Sequence, residues 1–148
     1  MSTQTIVLNN GQQATINTDI SKIFVWNNRY EKAPYNNSSY SSVTIPKGTL
    51  MGRVASTGFI VALTSGASNG AQFPVGVLAD DYTLDGGETK DLVMCVAGDV
   101  VESKIVLQGS DTMETTISSR RLRDRIGSDT VGIKLVSETD ELTGLDNQ

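Results

Sequence analysis

The 148-residue chain contains no histidine. That absence removes the side chain best suited to proton transfer near neutral pH and the commonest metal ligand, so most familiar hydrolase and metalloenzyme mechanisms lose their central part. Cysteine is nearly absent too. Cys95 stands alone, which excludes an internal disulfide and any multi-cysteine metal cluster. Because it sits in the apolar run Leu92-Val93-Met94-Cys95-Val96, it is expected to pack as a small buried hydrophobe. Positive charge is in deficit: 12 Lys and Arg stand against 17 Asp and Glu. The net charge of −5 argues against general binding to a polyphosphate, where affinity rests on cations that neutralise phosphates. No apolar run approaches the ~20 residues that span a bilayer. Met1 is followed by Ser, Thr and Gln rather than by a basic start and an apolar core. Synthesis in the cytoplasm and no membrane partner are the expectations.

Phosphate and metal loops are missing as well. Gly48-Thr49-Leu50-Met51-Gly52 and Ser65-Gly66-Ala67-Ser68-Asn69-Gly70 lack the Gly-Lys-Ser/Thr ending that clamps a phosphate, so both read as turns. Asp85-Gly86-Gly87 starts like a calcium loop and lacks the later ligands. No catalytic residue, metal ligand or cofactor is assigned.

What is present reads as β-structure. A chain of this length suits one compact domain plus extensions, burying roughly 70% of the surface its unfolded form exposes. From Val43 onward, Thr49 to Val54, Gly58 to Leu63, Val75 to Leu78, Thr89 to Ala97 and Val100 to Leu107 read as strands separated by Gly, Asn and Ser. Their spacing predicts a small mainly-β domain, barrel- or sandwich-like, rather than alternating β-α units. Asp111 to Ile126 is the one helix candidate, with Asp111 as cap, Glu114 completing a box and Gly127 as stop. Thr130 to Val136 reads as a closing strand.

Residues 1–43 differ in composition, being rich in Asn, Ser, Thr and Gln around two apolar islands, Ile6-Val7-Leu8 and Ile23-Phe24-Val25-Trp26. They read as an extended N-terminal arm, with residues 44–136 as the β-rich domain and residues 137–148 as an acidic, mobile tail. Asn10-Gly11 lies between Thr5-Ile6-Val7-Leu8 and Ala14-Thr15-Ile16, which fits either a small hairpin or a tail with an incidental turn.

Two charged clusters invite chemistry. Asp80-Asp81-Tyr82 is similar to the Asp-Tyr motif of trimeric dUTPases, but no Gly follows Tyr82 and the phosphate motif and the glycine-rich C-terminal arm are missing. Adjacent strand residues also point to opposite faces, so the pair reads as a solvated turn. Arg120, Arg121, Arg123 and Arg125, with Asp124 among them, point several ways on a helix and read as a solvated face.

The Pro46-Lys47-Gly48 turn and the strand after it are followed by Phe59-Ile60-Val61-Ala62-Leu63, then by Asn69-Gly70-Ala71 leading to Pro74-Val75-Gly76-Val77-Leu78. Next come the Gly98-Asp99-Val100 corner, a helix ending Leu122-Arg123-Asp124-Arg125-Ile126-Gly127, and Val131-Gly132-Ile133. This order, from Val43 to Val136, resembles the head-decoration proteins of tailed bacteriophages. The resemblance implies a β-tulip-type domain and a homotrimer at three-fold or quasi-three-fold positions on the exterior of the matured capsid. It also implies an arm that adds to β-structure of the major capsid protein. On that expectation Thr5, Ile6, Val7, Leu8, Ile23, Phe24, Val25 and Trp26 are the candidate capsid-binding residues, with no cofactor and no direct nucleic-acid contact. The alternatives are another β-rich virion part, such as a tail, fibre or glycan-binding surface module, and a diverged dUTPase-like enzyme.

Overall fold

Short apolar runs punctuated by glycine, asparagine and serine favour extended backbone with tight turns, and the computed structural model is mainly β. It describes residues 2–7, 13–18, 23–129 and 132–137. In chain order the first strands are β1 (Ser2–Val7), β2 (Gln13–Thr18), β3 (Phe24–Asn36), β4 (Val43–Ile45), β5 (Leu50–Arg53) and β6 (Ile60–Ala62). Then come β7 (Pro74–Leu78), β8 (Tyr82–Leu84), β9 (Thr89–Val101) and a 3-10 turn at Glu102–Lys104. The chain closes through β10 (Thr116–Ile117), β11 (Arg120–Arg121), helix α1 (Leu122–Asp129) and β12 (Ile133–Val136). Among the described residues no helix is long and apolar enough to cross a membrane.

Side chains alternate along a strand, so the continuous apolar run in β9 demands cover on both faces. Leu92, Met94 and Val96 enter one cluster with Met51, Ile60, Leu78 and Leu84, whereas Cys95 enters a second with Leu50, Leu63 and Val77. The same split parts the neighbours Leu50 and Met51 on β5, and Val77 and Leu78 on β7. The β4–β8 ladder covers the first face with Ile45 and Leu84, while α1 and β10 cover the second with Leu122, Ile126 and Ile117. The sheet order is β12-β9-β7-β5-β6, with β3 antiparallel along β9 and β12 parallel to it. Among the described residues β6 and β12 do not pair, so the layers form a sandwich-like stack and no closed barrel.

Helix α1 has 8 residues, too few to hold itself in water. Its fully buried Leu122 and Ile126, worth about 1.5–3 kcal/mol each, hold it against the sheet.

The helix expected from Asp111 begins instead at Leu122. Asp111 does not cap it, because its carboxylate accepts from the Ser65 backbone N–H at 3.0 Å and from the Ser65 hydroxyl at 2.5 Å, tying two loops together. The strand expected from Val100 to Leu107 is the end of β9, broken at Val101 by the 3-10 turn. Gly98-Asp99-Val100 is not a corner between two strands but a distorted stretch inside β9.

The arm boundary at residue 43 also moves. Residues 24–36 pair with β9 from Phe24↔Val100 to Asn36↔Thr89, Ala33 is buried in the first cluster, and Ile23 and Phe24 pack on the second. An edge strand buries little on its solvent side, which is why Tyr30 to Ser42 looks too polar to be structured. Asn37 then anchors the following loop: its buried amide donates to the carbonyls of Ser41, Leu84 and Asp85. β1 and β2 form an antiparallel pair of their own, running from Ser2↔Thr18 to Val7↔Gln13, with no ladder to the main sheet among the described residues. Asn10-Gly11, Thr130-Val131 and the tail beyond Ser137 lie outside the described residues.

The β10–β11 turn places Ser118 and Ser119 at φ 48° and 67°, a left-handed pair that glycine or asparagine usually supplies. Arg125, buried beneath it, donates from Nε and Nη2 to the Ile117 carbonyl at 2.8 and 2.6 Å and stacks 5.0 Å from the Phe73 ring centre. Arg125→Met keeps the packing but strands a buried carbonyl, so a loss of about 1–3 kcal/mol is expected in urea unfolding. Arg125→Lys should recover little of it, because an ammonium does not reproduce the planar fork.

Candidate functional site

Where β3 begins, its pairing with β9 is irregular. The register shifts between Phe24 and Trp26, between Trp26 and Arg29, and between Arg29 and Tyr30. Such bulges re-aim side chains. Asn27 takes φ 51°, and the Asn28 amide turns inward to donate to the Asp99 carbonyl at 3.1 Å, the Ala97 carbonyl at 3.5 Å and Cys95 Sγ at 3.5 Å. Opposite, Gly98 lies at φ 105°, and a Cβ there would stand 2.7 Å from the Asn27 carbonyl oxygen and from Asn28 Cα. Only glycine lets the two backbones approach this closely.

The distortion has two outward consequences. Trp26 projects into solvent, 72% exposed. Phe24 and Tyr30, six positions apart, would sit about 20 Å from each other along an undistorted strand, yet their rings meet edge-to-face with centres 5.7 Å apart. They form one wall of a cleft of about 370 Å³ that Lys47, Asp80, Tyr82 and Val93 also line. The Lys47 ammonium lies 5.8 Å from the Phe24 ring centre. The Tyr82 hydroxyl accepts the Val93 N–H at 3.1 Å, which fixes that ring against β9. Burial, and to a smaller extent the nearby Cys95, raises the Tyr30 phenol above its ordinary range, so it stays a neutral donor at physiological pH.

Asp80-Asp81-Tyr82 is thereby divided, with Asp80 and Tyr82 lining the cleft and Asp81 turned to a neighbouring loop. Asp81 Oδ1 accepts the Lys47 backbone N–H at 2.8 Å and joins two loops, Asp80 accepts the Asp81 N–H while lining the cleft, and Tyr82 faces β9. The arginines separate as well. Arg121 pairs with Glu114 and Asp124, and Arg123 with Glu102 and Glu114, while Arg125 is a buried clamp rather than part of a solvated face. Among the described residues no group of three or more His, Cys, Asp or Glu is placed to hold a metal ion.

The candidate arm residues split into two groups. Thr5, Ile6 and Val7 lie on β1, in the separate hairpin, and Leu8 lies outside the described residues. Ile23 is tied to the domain by its carbonyl, which accepts the Val101 N–H at 2.8 Å, and Phe24, half-buried Val25 and exposed Trp26 follow on the main sheet. Tyr30, Lys47 and Asp80 are absent from the sequence-based site. The pair Asn27-Asn28 inside an aromatic run was the available sign of a bulge, since asparagine tolerates positive φ. No protein-family model matches the chain, and no curated protein matches it significantly.

Gly98→Ala forces a side chain into the left-handed region against backbone and should cost about 1–3 kcal/mol in thermal or urea unfolding. Gly58→Ala, also at positive φ but with open space around it, should cost less.

Cys95 is buried, as the apolar run predicted; its thiol donates to the Ala97 carbonyl, and burial holds its pKa above the ordinary value. The folded chain therefore keeps the thiol proton at pH values where the unfolded chain has lost it. Stability from this source is complete below the unfolded thiol value of about 8.5 and declines as pH rises beyond it. Tyr30 and Tyr35, also raised by burial, extend the decline above pH of about 10. Urea midpoints measured from pH 7 to 10 should fall with rising pH, and less steeply in Cys95→Ala.

Proposed function

We propose that this chain is a structural virion protein that binds the outside of the matured head of a tailed phage, as a trimer bridging capsomers at three-fold or quasi-three-fold positions. The observation that carries the reading is the β1–β2 hairpin, a two-stranded sheet with no ladder to the main sheet among the described residues. A hairpin of that size is marginal on its own in water and gains stability by pairing with another sheet. Its outer backbone edges, unpaired among the described residues, suit strand addition to the major capsid protein. In a trimer three such hairpins act together, because each one after the first engages at high effective concentration. The order of segments from Val43 to Val136 and the mainly-β domain are consistent with this role, and a net charge of −5 disfavours a contact with packaged nucleic acid.

Attachment through the hairpin can be separated from folding of the domain. A chain lacking residues 1–18 should unfold at the same temperature as the full chain yet lose co-sedimentation with expanded heads of the phage that encodes it. A chain lacking residues 1–43 should fail to fold, because β3 goes with it. The full chain should bind expanded heads in preference to unexpanded precursors and raise the temperature at which DNA is released. Equal binding to both particle forms, or undiminished binding after removal of residues 1–18, would overturn the reading.

A further inference from the structure

The β3 bulge, with Asn27 at positive φ and the Asn28 amide bonded inward, leaves an aromatic wall of Phe24 and Tyr30 open to solvent. At about 370 Å³ the cleft falls in the lower part of the range typical of small-ligand sites, roughly 300–1,000 Å³.

Its polar groups select the ligand. Lys47 brings an ammonium and Asp80 a carboxylate into the same cleft, with no ion pair within 4.0 Å between them among the described residues. An anionic ligand meets repulsion at Asp80 and a cationic one meets it at Lys47, whereas a neutral polyhydroxylated ligand donates to the first and accepts from the second. The Tyr30 ring supplies an apolar face and its neutral phenol a further donor and acceptor. A nucleobase would fit the aromatic wall, but the phosphates of a nucleic acid meet a chain of net charge −5. From this combination we infer that the Phe24–Tyr30–Lys47–Asp80 cleft binds a neutral saccharide segment, with a sugar ring against Tyr30 and its hydroxyls shared between Asp80 and Lys47. This site belongs to the folded domain and is separate from the hairpin that the capsid reading uses. A chain lacking residues 1–18 therefore keeps it, and failure of one reading leaves the other standing.

The test uses the purified full chain, with fluorescence of the single tryptophan, Trp26, two positions from Phe24, and titration calorimetry as readouts. The probes are neutral gluco-, galacto- and N-acetylglucosamine oligosaccharides, with oligogalacturonate and chitosan oligomers as anionic and cationic controls. The expected result is millimolar or tighter binding of at least one neutral oligosaccharide, weaker binding of both charged controls, and no change on removing residues 1–18. Tyr30→Ala and Asp80→Asn should each weaken binding about tenfold, equivalent to about 1.4 kcal/mol. Tyr30→Phe, which keeps the ring, should stay within about threefold, the loss of one modest hydrogen bond. Tyr30 and Asp80 are both exposed, so these variants should retain the parent melting temperature. No binding of any neutral probe at 10 mM (~10 mM being the weak end of useful affinity), preference for a charged control, or indifference to Tyr30→Ala and Asp80→Asn would each overturn the inference.

Discussion

The structure depends on the burial of β9 on both faces. A strand that is apolar on alternate sides cannot sit at the surface of a sandwich, so every other layer is arranged around it. The β4–β8 ladder closes one side, and α1 with the β10–β11 turn closes the other. β3 lies along its edge for most of its length. Leu92, Met94 and Val100 are almost entirely removed from water, and each such side chain is worth about 1.5–3 kcal/mol. No exposed ion pair among the described residues approaches that, since such pairs are worth about 0–1 kcal/mol. The arginine–glutamate network around Arg121 and Arg123 therefore orients the helix more than it holds it.

The alternation of β9 fails at one place, and the surface of interest lies there. Cys95 and Val100 share a cluster although an undistorted strand would send them to opposite faces. Gly98 makes the shift, and β3 answers with its own irregular stretch, filled by the Asn28 side chain. The constraint that keeps the core continuous across the bulge also turns Trp26 outward and lets Phe24 and Tyr30 meet. Core packing and surface chemistry are thus coupled through one glycine and one asparagine. The proposed saccharide cleft uses that coupling, while the proposed capsid contact uses the hairpin, which lies on a separate sheet.

Much of this was legible in the sequence, and the legible part was local. The strand segments around Leu50, Ile60, Val77 and Leu92, the buried thiol and the closing strand follow from apolar runs and turn residues that act within a few positions. Absence of histidine and the acidic balance bounded the chemistry for the same reason, because composition needs no fold to be read. Tertiary structure decided what depends on a distant partner. Residues 24–36 form a strand only because β9 offers an edge, Asp111 bonds to Ser65 instead of capping a helix, and Arg125 is buried because strained Ser118 and Ser119 leave a carbonyl to satisfy. The cleft belongs to that second class: Tyr30, Lys47 and Asp80 come from separate segments, and no spacing in the chain announces a meeting that long-range pairing creates.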